Sequence, residues 1–296
     1  MSVDAFRSYL SLEKNYSPHT LKAYLKDIQN FTDYCRDEFD LEDISSANYS
    51  IVRSWIVKLV EEGITNRSVN RKIASLGAYY KFLVKINEIE ASPLIKHKSL
   101  KTSKKVEVPF SEQEMMDIIR QISFTDDYEG QRDRLIIELL YTTGIRRAEL
   151  INLQLGDLNL TNKTMRVLGK RNKERIIPLL DHTIELYGEY LSHRSAFLKG
   201  REESYIFLSK RGLKIYETLV YRIINRYFSI VSTKVKKSPH ILRHTFATHL
   251  LNKGADMNAV KELLGHSSLA STQVYTHNSI AELKKAHTSA HPRSKK

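Results

Sequence analysis

Residues 17–37, SPHTLKAYLKDIQNFTDYCRD, leave little freedom in local structure. Leu21, Tyr24, Leu25, Ile28, Phe31 and Tyr34 recur at steps of three and four, the period of one helix face. Ser17 stands where an N-cap side chain accepts a free backbone N–H. Pro18 follows at the first helical position, where its missing N–H costs nothing. The same pattern recurs on both sides. SVDAFRSYLSLEKN carries Val3, Phe6, Tyr9, Leu10 and Leu12 at helical spacing. NYSIVRSWIVKLVEEG repeats it and stops at Gly63, a C-terminal cap. TNRSVNRKIASLGAYYKFLVK starts basic, at Arg67, Arg71 and Lys72, and turns apolar and aromatic. Residues 1–90 therefore read as a four-helix unit.

Two of these helix starts combine hydroxyls with cationic groups: SPHT, with His19, and TNRSVNRK, with Arg67 and Arg71. Free N–H groups and the positive end of the helix dipole suit a phosphate there, although ordinary capping explains either segment taken alone. Next comes ASPLIKHKSLKTSKKVEVP. Lys96, Lys98, Lys101, Lys104 and Lys105 fall close together with no acidic residue between them. Residues 91–107 have the composition of a linker. Such lysines serve equally as a solvated tether or as a track along a phosphate backbone.

From Val108 to the end the pattern changes. Ser111 and Glu114 have the spacing of a capping box before a helix. QRDRLIIELLYTTGIRRAELINLQLGDL reads as two helices broken at TTG. MRVLG and RIIPL are short β-branched runs around the polar turn KRNKE, a β-hairpin. HTIELYGEYLSHRSAFL is helical, YIFLS is an expected short strand, and three or more helices follow to about His287. The fold class is mainly α: a helical domain over 1–90, then a mixed α+β, mostly helical domain with a β-hairpin over 108–296.

Lys plus Arg number 47 against 34 acidic residues, a net charge of +13, which favours a polyanionic partner such as nucleic acid. The single cysteine, Cys35, sits among apolar residues and fits a buried thiol in a reducing compartment. No apolar run approaches the roughly 20 residues of a membrane span, and MSVDAFRSYL has no signal-peptide core, so the expected location is cytosolic.

Five segments carry chemistry. In TGIRRAEL, Arg146 follows a glycine break and Glu149 lies one helical turn on, able to orient it. In GKRNKE, Lys170 and Lys173 occupy a hairpin tip. In HILRHTFATHLL, after Pro239, His240 and Arg243 share one face while Leu242, Phe246 and Leu250 line another. His244 and His249 read as satisfied helix histidines. In LLGHSS, Gly265 ends a helix and places His266 on a corner. In STQVYTH, Tyr275 is one tyrosine among sixteen and means nothing alone. There is no CxxC, HExxH, GxxxxGK[ST] or GxGxxG, and the acidic residues are not grouped for Mg²⁺. We therefore expect neither metal nor cofactor. Phosphoryl transfer suits what is left. Arginines stabilise the phosphorane, a tyrosine attacks, and a lysine or histidine protonates the leaving oxygen.

At these residues the chain resembles the tyrosine recombinase, or phage integrase, family. TGIRRAEL matches the first-arginine motif at Arg146 with its acidic partner Glu149. VLGKRNKE matches the hairpin of the catalytic lysine at Lys170, and HILRH the His-x-x-Arg box at His240 and Arg243. LLGHSS supplies His266, and STQVYTH the nucleophile Tyr275. Order and spacing agree, and the resemblance covers nearly the whole chain. YSPHTLKAYLKDIQNF is similar to the family's N-terminal core-binding, SAM-like domain. The first box departs once, with Ala148 where the family usually has serine, and this touches no catalytic group.

The resemblance implies site-specific DNA recombination. Tyr275 attacks the scissile phosphate, forming a 3′-phosphotyrosyl bond and freeing a 5′-hydroxyl. Arg146, Arg243 and His266 hold the non-bridging oxygens. Lys170 protonates the leaving 5′-oxygen and His240 assists at the tyrosine. It also implies a homo- or hetero-tetramer on double-stranded DNA, a Holliday junction and a C-terminal segment, SIAELKKAH, passed to a neighbour. The two domains would clamp the duplex. The stretch from SPHILRH to YTH is similar to the Xer-type branch, which resolves chromosome dimers for partition at cell division in the bacterial cytoplasm, at the nucleoid, with a second recombinase and a DNA translocase as expected partners. The helices of the first unit begin almost at Met1 with no preceding arm-binding domain, which favours Xer over an integrase of a mobile element or an invertase. A non-catalytic DNA-binding protein would not need the full residue set. His19, Arg67, Arg71, Lys98 and Lys101, with Arg222 and Arg226 in YRIINRYF, are the candidate DNA contacts, and a solvated face explains them equally well.

Overall fold

The computed structural model describes residues 2–103, 108–169, 173–231, 237–265 and 277–294. It divides into two compact units, 1–105 and 106–296. Expectations for Lys104, Lys105, Lys170, His266 and Tyr275 fall outside the described residues.

The first unit is helical. Helix α1 (Ser2–Ser8) runs into a π-helical turn, Tyr9–Glu13. Leu10 lies on the face of Phe6 and is buried, while Leu12, two positions on, falls on the opposite side and is exposed. Helix α2 (Pro18–Phe39) starts at Ser17, whose side chain accepts from the Thr20 N–H. Helix α3 (Tyr49–Glu61) and helix α4 (Asn66–Lys85) follow. Phe6, Phe31, Cys35, Val52, Leu76 and Tyr79 form one core with Trp55. The lysine-rich stretch is held at two points. Asn70 bonds both the N–H and the carbonyl of Leu100, each at 2.9 Å, and Asn66 donates to the Lys101 carbonyl at 2.8 Å.

The second unit is built around helix α6 (Tyr128–Thr143), which is buried on every side from Leu135 to Thr143. A helix enclosed by neighbours has no polar face to spare. Helix α5 (Glu112–Gln121) precedes it, with the expected capping box between Ser111 and Glu114 complete. After α6 the chain makes a single helical turn, α7 (Arg147–Leu150). Strands β1 (Leu158–Asn159), β2 (Thr164–Leu168) and β3 (Glu174–Pro178) form an antiparallel sheet in that order. The expected hairpin is β2–β3, with Met165 opposite Ile177 and Val167 opposite Arg175. Helices α8 (Asp181–Leu198), α9 (Glu217–Val231), α10 (Pro239–Asn252), α11 (Met257–Leu264) and α12 (His277–Ala290) complete the unit. Helix α12 packs against β3, α10 and α11 of its own chain.

YIFLS is not a strand. Tyr205 and Leu208 make only isolated bridges, to Gln154 and Lys214. Side chains take up the carbonyls a ladder would need: Arg194 donates to Glu203, Tyr205 and Ile206, and Tyr190 and Tyr128 donate to Ile206 and Leu208. Among the described residues, no helix is long and apolar enough to cross a membrane, and no group of side chains is placed to hold a metal ion.

Candidate active site

Helix α6 ends at Gly144, whose φ of +58° is left-handed. A Cβ at this position would lie 2.4 Å from the Phe246 ring, so a side chain is excluded twice over. The turn delivers Arg146 to the start of α7. Its backbone N–H donates to Glu149 Oε2 at 2.9 Å and its Nη1 to Oε1 at 2.8 Å. Glu149 is only 7% exposed, so this is no surface ion pair.

A third group completes the carboxylate. Arg175, on β3, donates to both Glu149 oxygens, from Nη1 at 2.9 Å and Nη2 at 2.7 Å. Burial acts to raise the Glu149 carboxyl, but the hydrogen bonds and charge of Arg175, with those of Arg146, outweigh it and hold the group below its ordinary value.

Arg243 comes from α10, where Pro239 takes the first position and Leu242, Phe246 and Leu250 are fully buried, as expected, and the Ser238 side chain caps the helix. Its Nη1 donates to the Gly144 carbonyl and its Nη2 to the Leu264 carbonyl, each at 2.6 Å. Burial first, then the like charges of Arg146 and Arg175, push the guanidinium down to about 9. It stays charged at neutral pH, and in such surroundings an anion relieves its like-charge repulsion.

The C-terminus of α11 gathers all three arginines. The Leu263 carbonyl accepts from Arg175 Nε at 2.9 Å, Leu264 from Arg243, and Gly265 from Arg146 Nη2 at 3.1 Å. The last carbonyls of a helix lack internal partners and carry the negative end of its dipole, so three successive ones suit three cations. Gly265 closes the helix in a left-handed turn, φ +64°, as expected.

Arg146, Glu149 and Arg243 are thus brought together. His240 lies exposed on the first turn of α10, one turn before the buried Arg243. His249 is a satisfied core histidine, accepting from Tyr141 Oη and donating to the Phe110 carbonyl. Among the candidate DNA contacts, His19, Arg67, Lys98, Lys101, Arg222 and Arg226 are exposed. Arg71 is engaged with Asp27, and Arg222 donates to Tyr216 Oη at 2.5 Å. Sequence reading missed Arg175. The signal was there: Ile177 faces the core, and alternation along β3 puts Arg175 on the same face.

Residues 113–282 match the phage integrase family, and residues 3–87 match the N-terminal SAM-like domain of phage integrases. The chain belongs to the phage integrase family. Among its relatives, tyrosine recombinase XerC of Oceanobacillus iheyensis is 40% identical over 295 residues, covering 99% of this chain and 96% of that protein. Tyrosine recombinase XerC of Chlorobaculum parvum is 35% identical over 98% of this chain and 94% of that one. In fold the chain is similar to the XerH site-specific recombinase bound to palindromic difH substrate. The TM-score is 0.72 at 23% identity, over 97% of this chain and 84% of that chain. It is likewise similar to the Tn1549 transposon integrase, with a TM-score of 0.69 at 21% identity over 96% and 99%. As a phage integrase family member of this kind, the chain is a tyrosine recombinase, an enzyme of Xer-type site-specific recombination that cleaves and religates DNA.

Proposed function

We propose that this recombinase resolves chromosome dimers in the bacterial cytoplasm, at the nucleoid, with residues 1–90 as the core-binding domain, 91–107 as the linker and 108–296 as the catalytic domain. The observation that carries the chemistry is the gathering of Arg146, Arg175 and Arg243 at the end of α11, with the first two sharing the carboxylate of Glu149. The balance is two positive charges in a largely desolvated place, which suits the non-bridging oxygens of a phosphodiester.

In this reading Arg146 and Arg243, with His266, hold the phosphate. Tyr275 Oη attacks phosphorus and the bond to the 5′-oxygen breaks, giving a 3′-phosphotyrosyl link. Lys170 delivers a proton to that oxygen, and His240 receives the tyrosine's proton. The covalent link conserves the bond energy, so a 5′-hydroxyl from the partner strand reseals the backbone with no nucleotide, metal or cofactor. Four protomers, of this chain or of this chain and a second recombinase, exchange strands through a Holliday junction on double-stranded DNA, with a DNA translocase as activator. The 40% identity to a XerC over nearly the full length supports the dimer-resolution role.

Incubation with nicked genomic duplexes, followed by recovery of SDS-resistant adducts, tests this. Wild-type protein should form adducts at one palindrome-like chromosomal site, and Tyr275→Phe should bind the same DNA and form none. Adducts that persist in Tyr275→Phe overturn the nucleophile. Adducts at inverted repeats or at element ends move the role to inversion or integration.

A further inference from the structure

We propose that Arg175 is a positioning residue for the strand-cleavage reaction: it saturates Glu149 so that Arg146 keeps its charge and its orientation for the phosphate. The inference rests on the recombinase reading above.

Glu149 has two oxygens, and each accepts one bond from Arg146 and one from Arg175. Without Arg175, a carboxylate this buried would draw on Arg146 alone, and the pair would be close to neutral where the reaction needs positive charge. With Arg175 in place, Glu149 orients Arg146 without cancelling the site. The Arg175 side chain is only 5% exposed, against 32% for Arg146. Both of its terminal nitrogens are committed to Glu149, so its action runs through that carboxylate and Arg146.

Arg175 also ties together segments that flank other site residues. Its Nε donates to the Leu263 carbonyl, and a Cβ on Gly265, the residue before His266, would lie 3.0 Å from its Cδ. Gly169, the residue before Lys170, closes the hairpin by donating to the Lys173 carbonyl at 2.8 Å. A Cβ there would lie 3.6 Å from Glu149 Oε1 and 3.7 Å from Arg175 Nη1. The base of the hairpin and the end of α11 thus meet on one guanidinium. Burial is compatible with this charge because Glu149 and a helix-end carbonyl occupy three of its donors.

The test is single-turnover cleavage of a nicked duplex that traps the covalent adduct, measured beside DNA affinity and thermal unfolding. The proteins are wild type, Arg175→Met, Arg175→Lys and Tyr275→Phe. Arg175→Met should cleave at least about 100-fold more slowly, as when a preorganised donor to a reacting oxyanion is lost. Its DNA affinity should stay within about threefold, because the guanidinium does not touch phosphate. Arg175→Lys restores the charge without the bidentate fork and should recover part of the rate, leaving a deficit of about tenfold. The effect of Arg175→Met should shrink in a Glu149→Gln background, because the two residues act as one unit. Wild-type cleavage rate in either Arg175 variant overturns the inference while leaving the recombinase reading intact. So does a rate loss matched by an equal loss of folded protein and of DNA affinity. Absence of adducts with wild-type protein overturns the recombinase reading, and the inference falls with it.

Discussion

Both units contain a buried carboxylate with cations arranged around it, Asp27 in the first and Glu149 in the second, but the two clusters are built differently. In the first unit Asp27 on α2 meets Arg71, Lys72 and Ser75. All three partners come from one helix, α4, at neighbouring turns. Arg71 is half exposed, so much of its charge remains in water. In the second unit Glu149 meets Arg146 from the start of α7 and Arg175 from β3, and both arginines reach on to carbonyls at the end of α11. Glu149 and Arg175 are both nearly inaccessible. The first cluster joins two helices. The second joins three separated segments and leaves an excess of positive charge beside a helix end.

The largest difference should follow from Glu149→Ala. It strands the Arg175 charge in a buried place, a loss of about 3–5 kcal/mol. In hydrogen exchange, protection should fall in α7, β3 and α11 while the helices of the first unit keep theirs. A uniform loss across both units would break the comparison.

Acid should come next. His287 is fully buried, donates to the Thr142 carbonyl, and burial pushes it down to about 4. Burial and the adjacent His287 also hold His291 well below the ordinary value. The unfolded chain takes up these protons near pH 6.5 and the folded chain does not, so this stability is complete above about pH 6.5 and is lost as pH falls towards 4. For His287 the loss is about 3 kcal/mol. Urea midpoints of wild type and His287→Leu between pH 7 and 4.5 check it, since the variant should show a shallower slope. Parallel slopes would remove the histidine from the account. Both histidines are in the second unit, so acid should weaken that unit more.

Asp27→Asn should be the mildest, about 1–2 kcal/mol. Arg71 can regain water, and the amide still accepts from Ser75. A thermal shift equal to that of Glu149→Ala would show that exposure of the partner does not matter, and the contrast between the clusters would collapse.

Much of this was readable in order along the chain. Ser17, Ser111 and Gly265 mark helix ends in local sequence, because a cap is a bond between near neighbours. Arg146 and Glu149 lie three apart on one turn, so their pairing was legible too. YIFLS was misread because its apolar, aromatic run does describe a buried segment. What denied it a ladder was Arg194, Tyr190 and Tyr128, which spend their donors on its carbonyls from elsewhere in the chain.

The sequence by itself determined the helices, the hairpin, the two-part organisation and the residue types of the site. Period, caps and turns are local physics, set by residues within a turn or two of each other. The tertiary structure decided that Glu149 is shared, that Arg175 shares it from 26 positions away, and that three consecutive carbonyls at the end of α11 each take an arginine. Those bonds span 88, 21 and 119 positions. Hydrophobic period reports which face of an element is buried. It carries no record of which distant carbonyl or carboxylate a buried cation will meet, because that is settled only when the elements pack.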